Sequence, residues 1–335
     1  MRRSSLWTAT TILDRAVKVA RLSYARHRAG LRPGAEHHVT GPSRKAQPPE
    51  LISVVVPVLN GEDHVLEQLT ALASQTYAGA WELVVVDNGC TDRTMEIVRD
   101  RADGQPAVRI VEARGKRGLN HARNAGAAAA DGDFLAFCDA DDVATPSWLA
   151  AMAEAARHAD LVGGRNEWEA LNEPMVVAWR PSAPMTDLMR AHGWLRYAPG
   201  GNLGVWTAVA REIGWDERFS FGSTDQIFSW QAQLAGYRLA FAPDAVMQLR
   251  FRHSIGATAR QFYRYGRSGP ELHRAFRDSG IPRPDNGHAL QVWKRLIVGL
   301  PDLWISRERR GRWVRQAAYR FGRLVGSART RTLVL

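Results

Sequence analysis

Leu51-Ile52-Ser53-Val54-Val55-Val56-Pro57 is a nearly continuous β-branched run, the composition of a strand buried on both faces. It predicts a strand stopping at Pro57 and a helix over about Glu62 to Ser74. A second run, Glu82-Leu83-Val84-Val85-Val86, ends in Asp87-Asn88-Gly89. Thr91-Asp92 then caps a predicted helix from Arg93 to Arg101. Val108-Arg109-Ile110-Val111 predicts a third strand, residues 120–130 an alanine-rich helix, and Phe134-Leu135-Ala136-Phe137-Cys138 a fourth strand. Strands alternating with helices through short loops predict a parallel sheet with right-handed crossovers. Ligands of such sheets bind beyond the carboxyl ends of the strands. Those ends carry Pro57-Val58-Leu59-Asn60, Asp87-Asn88-Gly89 and Asp139-Ala140-Asp141-Asp142.

The whole chain of 335 residues is 45% apolar and 24% charged, which suits a globular protein and excludes disorder as its main state. Cys90 and Cys138 are too few for a disulfide scaffold and predict free thiols in a reducing compartment. No uninterrupted apolar stretch reaches about 18 residues, so no membrane-spanning helix is expected. Nor is a leader peptide expected, because Met1-Arg2-Arg3 is not followed by a compact apolar run and a small-residue cleavage site.

The net charge of +11 is unevenly spread. Residues 1–50 hold 10 Lys/Arg against 3 Asp/Glu, and residues 286–335 hold 11 against 2, while residues 51–285 hold 24 against 29. The two ends are therefore basic and the middle mildly acidic. At the N-terminus Leu13, Val17, Ala20 and Tyr24 share a helical spacing, with Lys18, Arg21 and Arg28 on another face. A proline-bearing linker follows to Pro49. Near the C-terminus Trp293, Leu296, Ile297 and Leu300 form one stripe, closed by Pro301. Trp313, Ala317, Phe321 and Leu324 form another, among Arg309, Arg312, Arg315 and Arg323. Basic helices with tryptophan on the apolar face suit an anionic membrane surface, although such stripes also pack on a core domain. Zinc-finger, helix-turn-helix and aromatic RNA-platform patterns are lacking, so nucleic acid is not expected as a partner.

The sharpest chemical signal is Asp139-Ala140-Asp141-Asp142. Three carboxylates so close repel one another unless a cation is present. Mg²⁺ or Mn²⁺ binds through one or two carboxylates together with substrate phosphates. A solvated acidic turn capping the helix that begins near Pro146 is the competing reading.

Ile52 to Asn60 and Glu82 to Asp92 resemble the start of family 2 glycosyltransferases of GT-A fold. Lys116-Arg117-Gly118-Leu119-Asn120-His121-Ala122-Arg123-Asn124-Ala125-Gly126 and Phe137-Cys138-Asp139-Ala140-Asp141-Asp142 continue that resemblance in order. Gly200-Gly201-Asn202-Leu203, Asp225 to Trp230 and Ala235 to Val246 are similar to the acceptor half. The resemblance covers about residues 51–270 and implies a mixed, mostly parallel α/β sheet flanked by helices. It implies a nucleotide half over 51–145 and an acceptor half over 146–270, set between a basic helix and linker (1–50) and basic amphipathic helices (271–335).

The same resemblance implies roles. Asp87 would accept hydrogen bonds from the base or ribose of a UDP- or GDP-type nucleotide-diphospho-sugar, in a pocket shaped by Pro57 and Asn60. Arg123 and Asn124 would sit beside the base or ribose, although Arg123 could instead pair with an acidic neighbour. Asp139 is expected near the ribose and the metal, with Asp141 as the direct ligand of Mn²⁺ or Mg²⁺. Asp225 is the candidate general base of an inverting transfer, or else the N-cap of a helix over Gln226–Leu234; Asp216 and Glu217 are next in line as base. The family often has Glu-Asp where this chain has Thr224-Asp225, a basic residue at the Gln231 position, and in many relatives a histidine where Gln248 stands. Arg250 and Arg252 are candidate contacts for diphosphate or lipid phosphate.

The expected function is therefore an inverting, metal-dependent glycosyltransferase. It would be peripheral on the cytoplasmic face of the cell membrane and act on a lipid-linked or cell-envelope glycan. Transfer to polyprenyl phosphate itself and a catalytically inactive scaffold are the alternatives.

Overall fold

The computed structural model describes residues 47–101, 108–180, 183–219, 221–284 and 286–334; the predicted N-terminal helix lies outside them. The first half runs β1 (Ile52–Val58), α1 (Val65–Ala73), β2 (Trp81–Asp87), α2 (Thr94–Asp100), β3 (Val108–Glu112), α3 (Leu119–Ala129) and β4 (Phe134–Cys138). Next come β5 (Val143–Ala144), α4 (Trp148–Ala156), β6 (Leu161–Glu167), α5 (Pro174–Ala178), β7 (Met189–Arg190), β8 (Arg196–Tyr197) and β9 (Asn202–Trp206). The chain ends with α6 (Thr207–Ile213), α7 (Thr224–Leu234), β10 (Leu239–Gln248), α8 (Ile255–Ala275), α9 (Asn286–Val298), α10 (Asp302–Ile305) and α11 (Arg307–Thr330).

Eight strands form one sheet in the order β3-β2-β1-β4-β9-β6-β10-β5. β1 is parallel to both β2 and β4, and β2 to β3. β9 runs antiparallel to β4 and β6, and β5 antiparallel to β10. Every residue of β1 is buried, which explains its unbroken apolar run, since helices cover both faces of a parallel sheet. β1 does not stop at Pro57 but continues to Val58, in register with Asp87. The β1–β4 ladder ends at Val55, so Pro57 lies where one edge of the strand is already unpaired, a position that tolerates a missing N–H. In α3, a Cβ at Gly126 would stand 2.4 Å from Val55 Cγ1. Glycine there lets the helix lie directly on the sheet.

The C-terminal helices differ from their sequence reading. Gln261-Phe262-Tyr263-Arg264-Tyr265-Gly266-Arg267 reads as a helix end with Gly266 as its stop, but α8 continues through Gly266 and through Pro270 to Ala275. The expected domain boundary at 270/271 falls inside this helix. Gly266 lies where α8 and α11 cross: its Cβ would come 1.9 Å from the carbonyl oxygen of Tyr319. On α11, a Cβ at Gly322 would meet the carbonyl oxygen of Tyr263 at 2.1 Å, and one at Gly326 that of Arg267 at 2.4 Å. Backbone therefore packs on backbone, and the glycine of α8 is a contact residue rather than a stop signal.

The two apolar stripes divide between packing and exposure. Leu296, Val292 and Ala317 are buried together, with Trp293 and Trp313 packed against them. Ile297, Leu300, Phe321 and Leu324 remain exposed, beside Val298, Trp304 and Ile305. Among the described residues no helix is long and apolar enough to cross a membrane.

Candidate active site

The carboxyl ends of β1, β2 and β4 carry Asn60, Asp87 and the acidic triplet, and α3, α7 and the segment after β10 carry the other predicted residues. Asp87 is 1% exposed and fully engaged. Its Oδ1 accepts the N–H groups of Gly89 and Cys90 at 2.9 and 2.8 Å. Its Oδ2 accepts Nε and Nη2 of Arg114 at 2.9 and 2.6 Å. Burial alone would raise its pKa, but the Cys90 N–H, the Arg114 guanidinium and the Gly89 N–H together hold it below the usual carboxylate range. Asp87 thus organises the turn after β2, and a base or ribose would have to displace the half-exposed Arg114 to reach it. Arg114 carries no motif in the sequence; its place at the end of β3 was the available signal.

Asn60 has a left-handed backbone (φ 54°), and its side-chain oxygen accepts the Thr91 N–H at 2.8 Å. It joins the turns after β1 and β2. Pro57 is buried within β1 and presents no open face. Asn124 is also committed. Its Nδ2 donates to the Trp215 carbonyl at 2.8 Å and to Glu217 Oε1 at 3.1 Å, and its Oδ1 accepts the Trp215 N–H at 2.8 Å. Lys116 and His121 meet Glu217 as well. Asn124, the expected nucleotide contact, therefore also tethers the 215–217 loop, which carries Glu217, the reserve candidate for the base.

The acidic triplet after β4 splits in three directions. Asp139 Oδ1 lies 3.6 Å from Arg123 Nη2. Asp141 Oδ2 lies 3.3 Å from Arg252 Nη1. Asp142 is buried and its Oδ1 accepts the backbone N–H of Arg250 at 2.9 Å. Burial, with repulsion from Asp139 and Asp141, pushes Asp142 well above the ordinary carboxylate range. Asp139 is raised too, by burial first, against the pull of Arg123 and with repulsion from Asp141 and Asp225. Arg250 is spent within the protein: its Nε donates to the Asp141 carbonyl at 3.1 Å and its Nη2 pairs with Glu67. Only Arg252 of the two candidate phosphate contacts presents an exposed guanidinium at the triplet. Gln248 ends β10 in register with Val143, next to Asp142.

Asp225 is the second residue of α7, whose N-cap position is Ser223 with φ 53°. It is not the N-cap, and its Oδ1 accepts the adjacent Gln226 N–H at 3.0 Å. Burial raises its pKa against the opposing charge of Arg123. Arg123, on α3, is 2% exposed, and its Nε and Nη1 have no hydrogen-bond partner among the described residues. A Cβ at Gly200 would stand 2.7 Å from both Nη atoms of Arg123, and one at Gly201 would stand 2.6 Å from Asp139 Oδ2. The Gly200-Gly201 pair thus makes room for the Arg123–Asp139 contact. Arg123 pairs with Asp139, the acidic-neighbour alternative, and its charge opposes the raised pKa of Asp225.

Among the described residues no three His, Cys, Asp or Glu side chains gather as a complete metal shell. Asp139 and Asp141 nevertheless offer hard oxygen donors two residues apart, and Asp139 carries like-charge repulsion that a cation would relieve. That donor set fits Mg²⁺ or Mn²⁺, which take one or two carboxylates and complete their shell with phosphate and water.

Residues 53–193 match the family described as Glycosyl transferase family 2. The chain is 30% identical over 198 residues to Glycosyltransferase AglE of Haloferax volcanii, covering 58% of this chain and 65% of the relative. It is 25% identical over 275 residues to the pre-mycofactocin glycosyltransferase of Mycobacterium tuberculosis, covering 78% and 54%. The chain thus spans less than two thirds of either relative. In three dimensions it resembles the mannosyltransferase PcManGT of Pyrobaculum calidifontis, solved with GDP-Man and Mn²⁺. The TM-score is 0.57 at 19% identity, over 95% of this chain and 97% of that one. The sheet order and these similarities converge: residues 53–193 match glycosyl transferase family 2, and the chain carries the GT-A fold.

Proposed function

We propose that the protein is an inverting, metal-dependent glycosyltransferase that moves a sugar from a nucleotide-diphospho-sugar to a hydroxyl of a lipid-linked or cell-envelope glycan. The observation that carries this reading is the buried Arg123, which pairs with Asp139 at 3.6 Å and lowers the proton affinity of Asp225. One guanidinium thereby links the donor-side triplet to the candidate base. Burial raises Asp225 above an ordinary aspartate, against the opposing charge of Arg123, which strengthens it as a proton acceptor for an attacking hydroxyl. Asp139 and Asp141 would hold the divalent ion, which when bound neutralises the diphosphate leaving group. The matches to glycosyltransferases, and the GDP-Man and Mn²⁺ of the mannosyltransferase with the same fold, support a nucleotide-sugar donor.

Ile297, Val298, Leu300, Trp304 and Ile305 are exposed beside the basic residues of the last helices, and this supports peripheral attachment to an anionic leaflet on the cytoplasmic side. The deciding experiment incubates the purified full chain with a panel of UDP- and GDP-sugars, with Mn²⁺ or with EDTA. Slow hydrolysis of one donor that EDTA abolishes is the expected result. No metal-dependent turnover of any donor, together with no nucleotide binding, would favour the inactive-scaffold reading.

A further inference from the structure

Three arginines gather between the acidic triplet and the last helix. The guanidinium carbon of Arg180, two residues beyond α5, lies 4.1 Å from the centre of the Phe251 ring and 5.0 Å from that of Phe262. Arg315 of α11 stands 5.0 Å from the same Phe262 ring. Arg252, adjacent to Phe251, reaches Asp141. Arg180 donates from Nη2 to Gln261 Oε1 at 2.7 Å, but its Nε, like that of Arg315, is buried without a partner among the described residues. No carboxylate pairs with Arg180 or Arg315 among those residues, and both are partly buried. Burial, with the charges of Arg315 and Arg252, pushes Arg180 down to about 10.

Desolvated guanidinium groups without a counter-charge are costly, and the arrangement becomes favourable once an anion joins it. Planar forks presented by several arginines suit the oxygens of a phosphate. Arg252 ties this cluster to the triplet, and Gln261, which accepts from Arg180, donates from Nε2 to the Tyr265 hydroxyl at 3.2 Å.

We propose that Arg180, Arg315 and Arg252 seat the phosphate or diphosphate of an anionic acceptor, a lipid-borne phosphate above all, and so hold the acceptor's reactive oxygen towards Asp225. This rests on the donor site proposed above and gives the C-terminal helix a part in acceptor binding.

The test is calorimetric titration of the full chain, saturated with Mg²⁺ and UDP or GDP, with geranyl phosphate and separately with inorganic phosphate. Geranyl phosphate is expected to bind alongside the nucleotide. Arg315→Gln and Arg180→Gln should each weaken it by about tenfold or more. Arg315→Gln keeps the test decisive should loss of the Arg180 stacking impair folding. Weakening of both probes alike would support a seat that reads phosphate alone; weakening of geranyl phosphate with negligible inorganic phosphate binding would support the lipid source. Unchanged affinity in Arg315→Gln, or displacement of geranyl phosphate by the nucleotide, would overturn the proposal. Nucleotide affinity measured in the same variants reports on the donor site separately, so its failure is told apart from failure of the acceptor seat.

Discussion

Arg123 Nη2 stands 3.6 Å from Asp139 Oδ1, while Nε and Nη1 of the same side chain have no hydrogen-bond partner among the described residues. A guanidinium 2% exposed and only partly satisfied carries a cost that a purely structural residue would avoid. Its pairing with Asp139 and its pull on the raised pKa of Asp225 give that cost a purpose.

Replacing Arg123 with Gln removes the cation that opposes the mutual repulsion of Asp139 and Asp225. Transfer is expected to fall by about tenfold or more, and the variant should melt below the parent protein. Thermal unfolding and donor turnover, measured on one preparation, check both effects.

Asp225→Asn removes the proton acceptor and keeps the shape. Transfer should fall by about 10²–10⁴-fold with nucleotide affinity nearly unchanged. Because Ser223 holds the N-cap position of α7, the melting temperature should barely move. A variant that melts early but turns over normally when folded would return Asp225 to a structural role.

Much of this was legible in the sequence, for physical reasons specific to each residue. β4 and the centre of β1 are recognisable because strands buried on both faces need unbroken apolar runs, and the acidic triplet because like charges rarely crowd without purpose. Gly266 misleads because glycine after a helical run is locally a stop signal, whereas its partner, the Tyr319 carbonyl, lies on another helix. The partners of Asn124 and Asp87 were hidden for the same cause: Trp215 and Arg114, which take up their hydrogen bonds, are distant in sequence. Of the arginine cluster only Arg252 could be read as a phosphate contact, since Arg180 and Arg315 join it only through the packing of α8 and α11 on the domain.

Gly266→Ala should loosen the crossing of α8 and α11. The new Cβ would sit 1.9 Å from the Tyr319 carbonyl oxygen, and backbone cannot give way as a side-chain tip can. Overpacking of this kind costs about 1–3 kcal/mol. The expected outcome is a lower denaturation midpoint, with nucleotide binding retained under native conditions.

His192 and His273 share a hydrogen bond of 2.9 Å between Nδ1 and Nε2. Burial lowers His192 to about 3 and His273 to about 4, with added repulsion from Arg323. Both therefore stay neutral in the folded protein where the unfolded chain, with histidine near about 6.5, takes up protons. Stability should be complete above about pH 6.5 and decline as pH falls towards 4. Melting curves from pH 7.5 to 4.5 should show this slope, and His192→Gln should flatten it.

Trp304→Ser combined with Ile305→Ser removes two of the exposed apolar side chains of the C-terminal region without altering its charge. Co-sedimentation with vesicles containing phosphatidylglycerol should fall several-fold. Equal sedimentation of variant and parent would sink the assignment of this surface to a membrane.

The central claim is that the triplet after β4 and its divalent ion hold a nucleotide-diphospho-sugar. Calorimetric titration of UDP and of GDP into the full chain with Mn²⁺, repeated on Asp141→Asn, tests it most directly. The expected result is one nucleotide bound tightly only when Mn²⁺ is present, with that metal-dependent gain abolished in the folded variant. Equal affinity with and without Mn²⁺, or an Asp141→Asn protein that binds as its parent does, would contradict it.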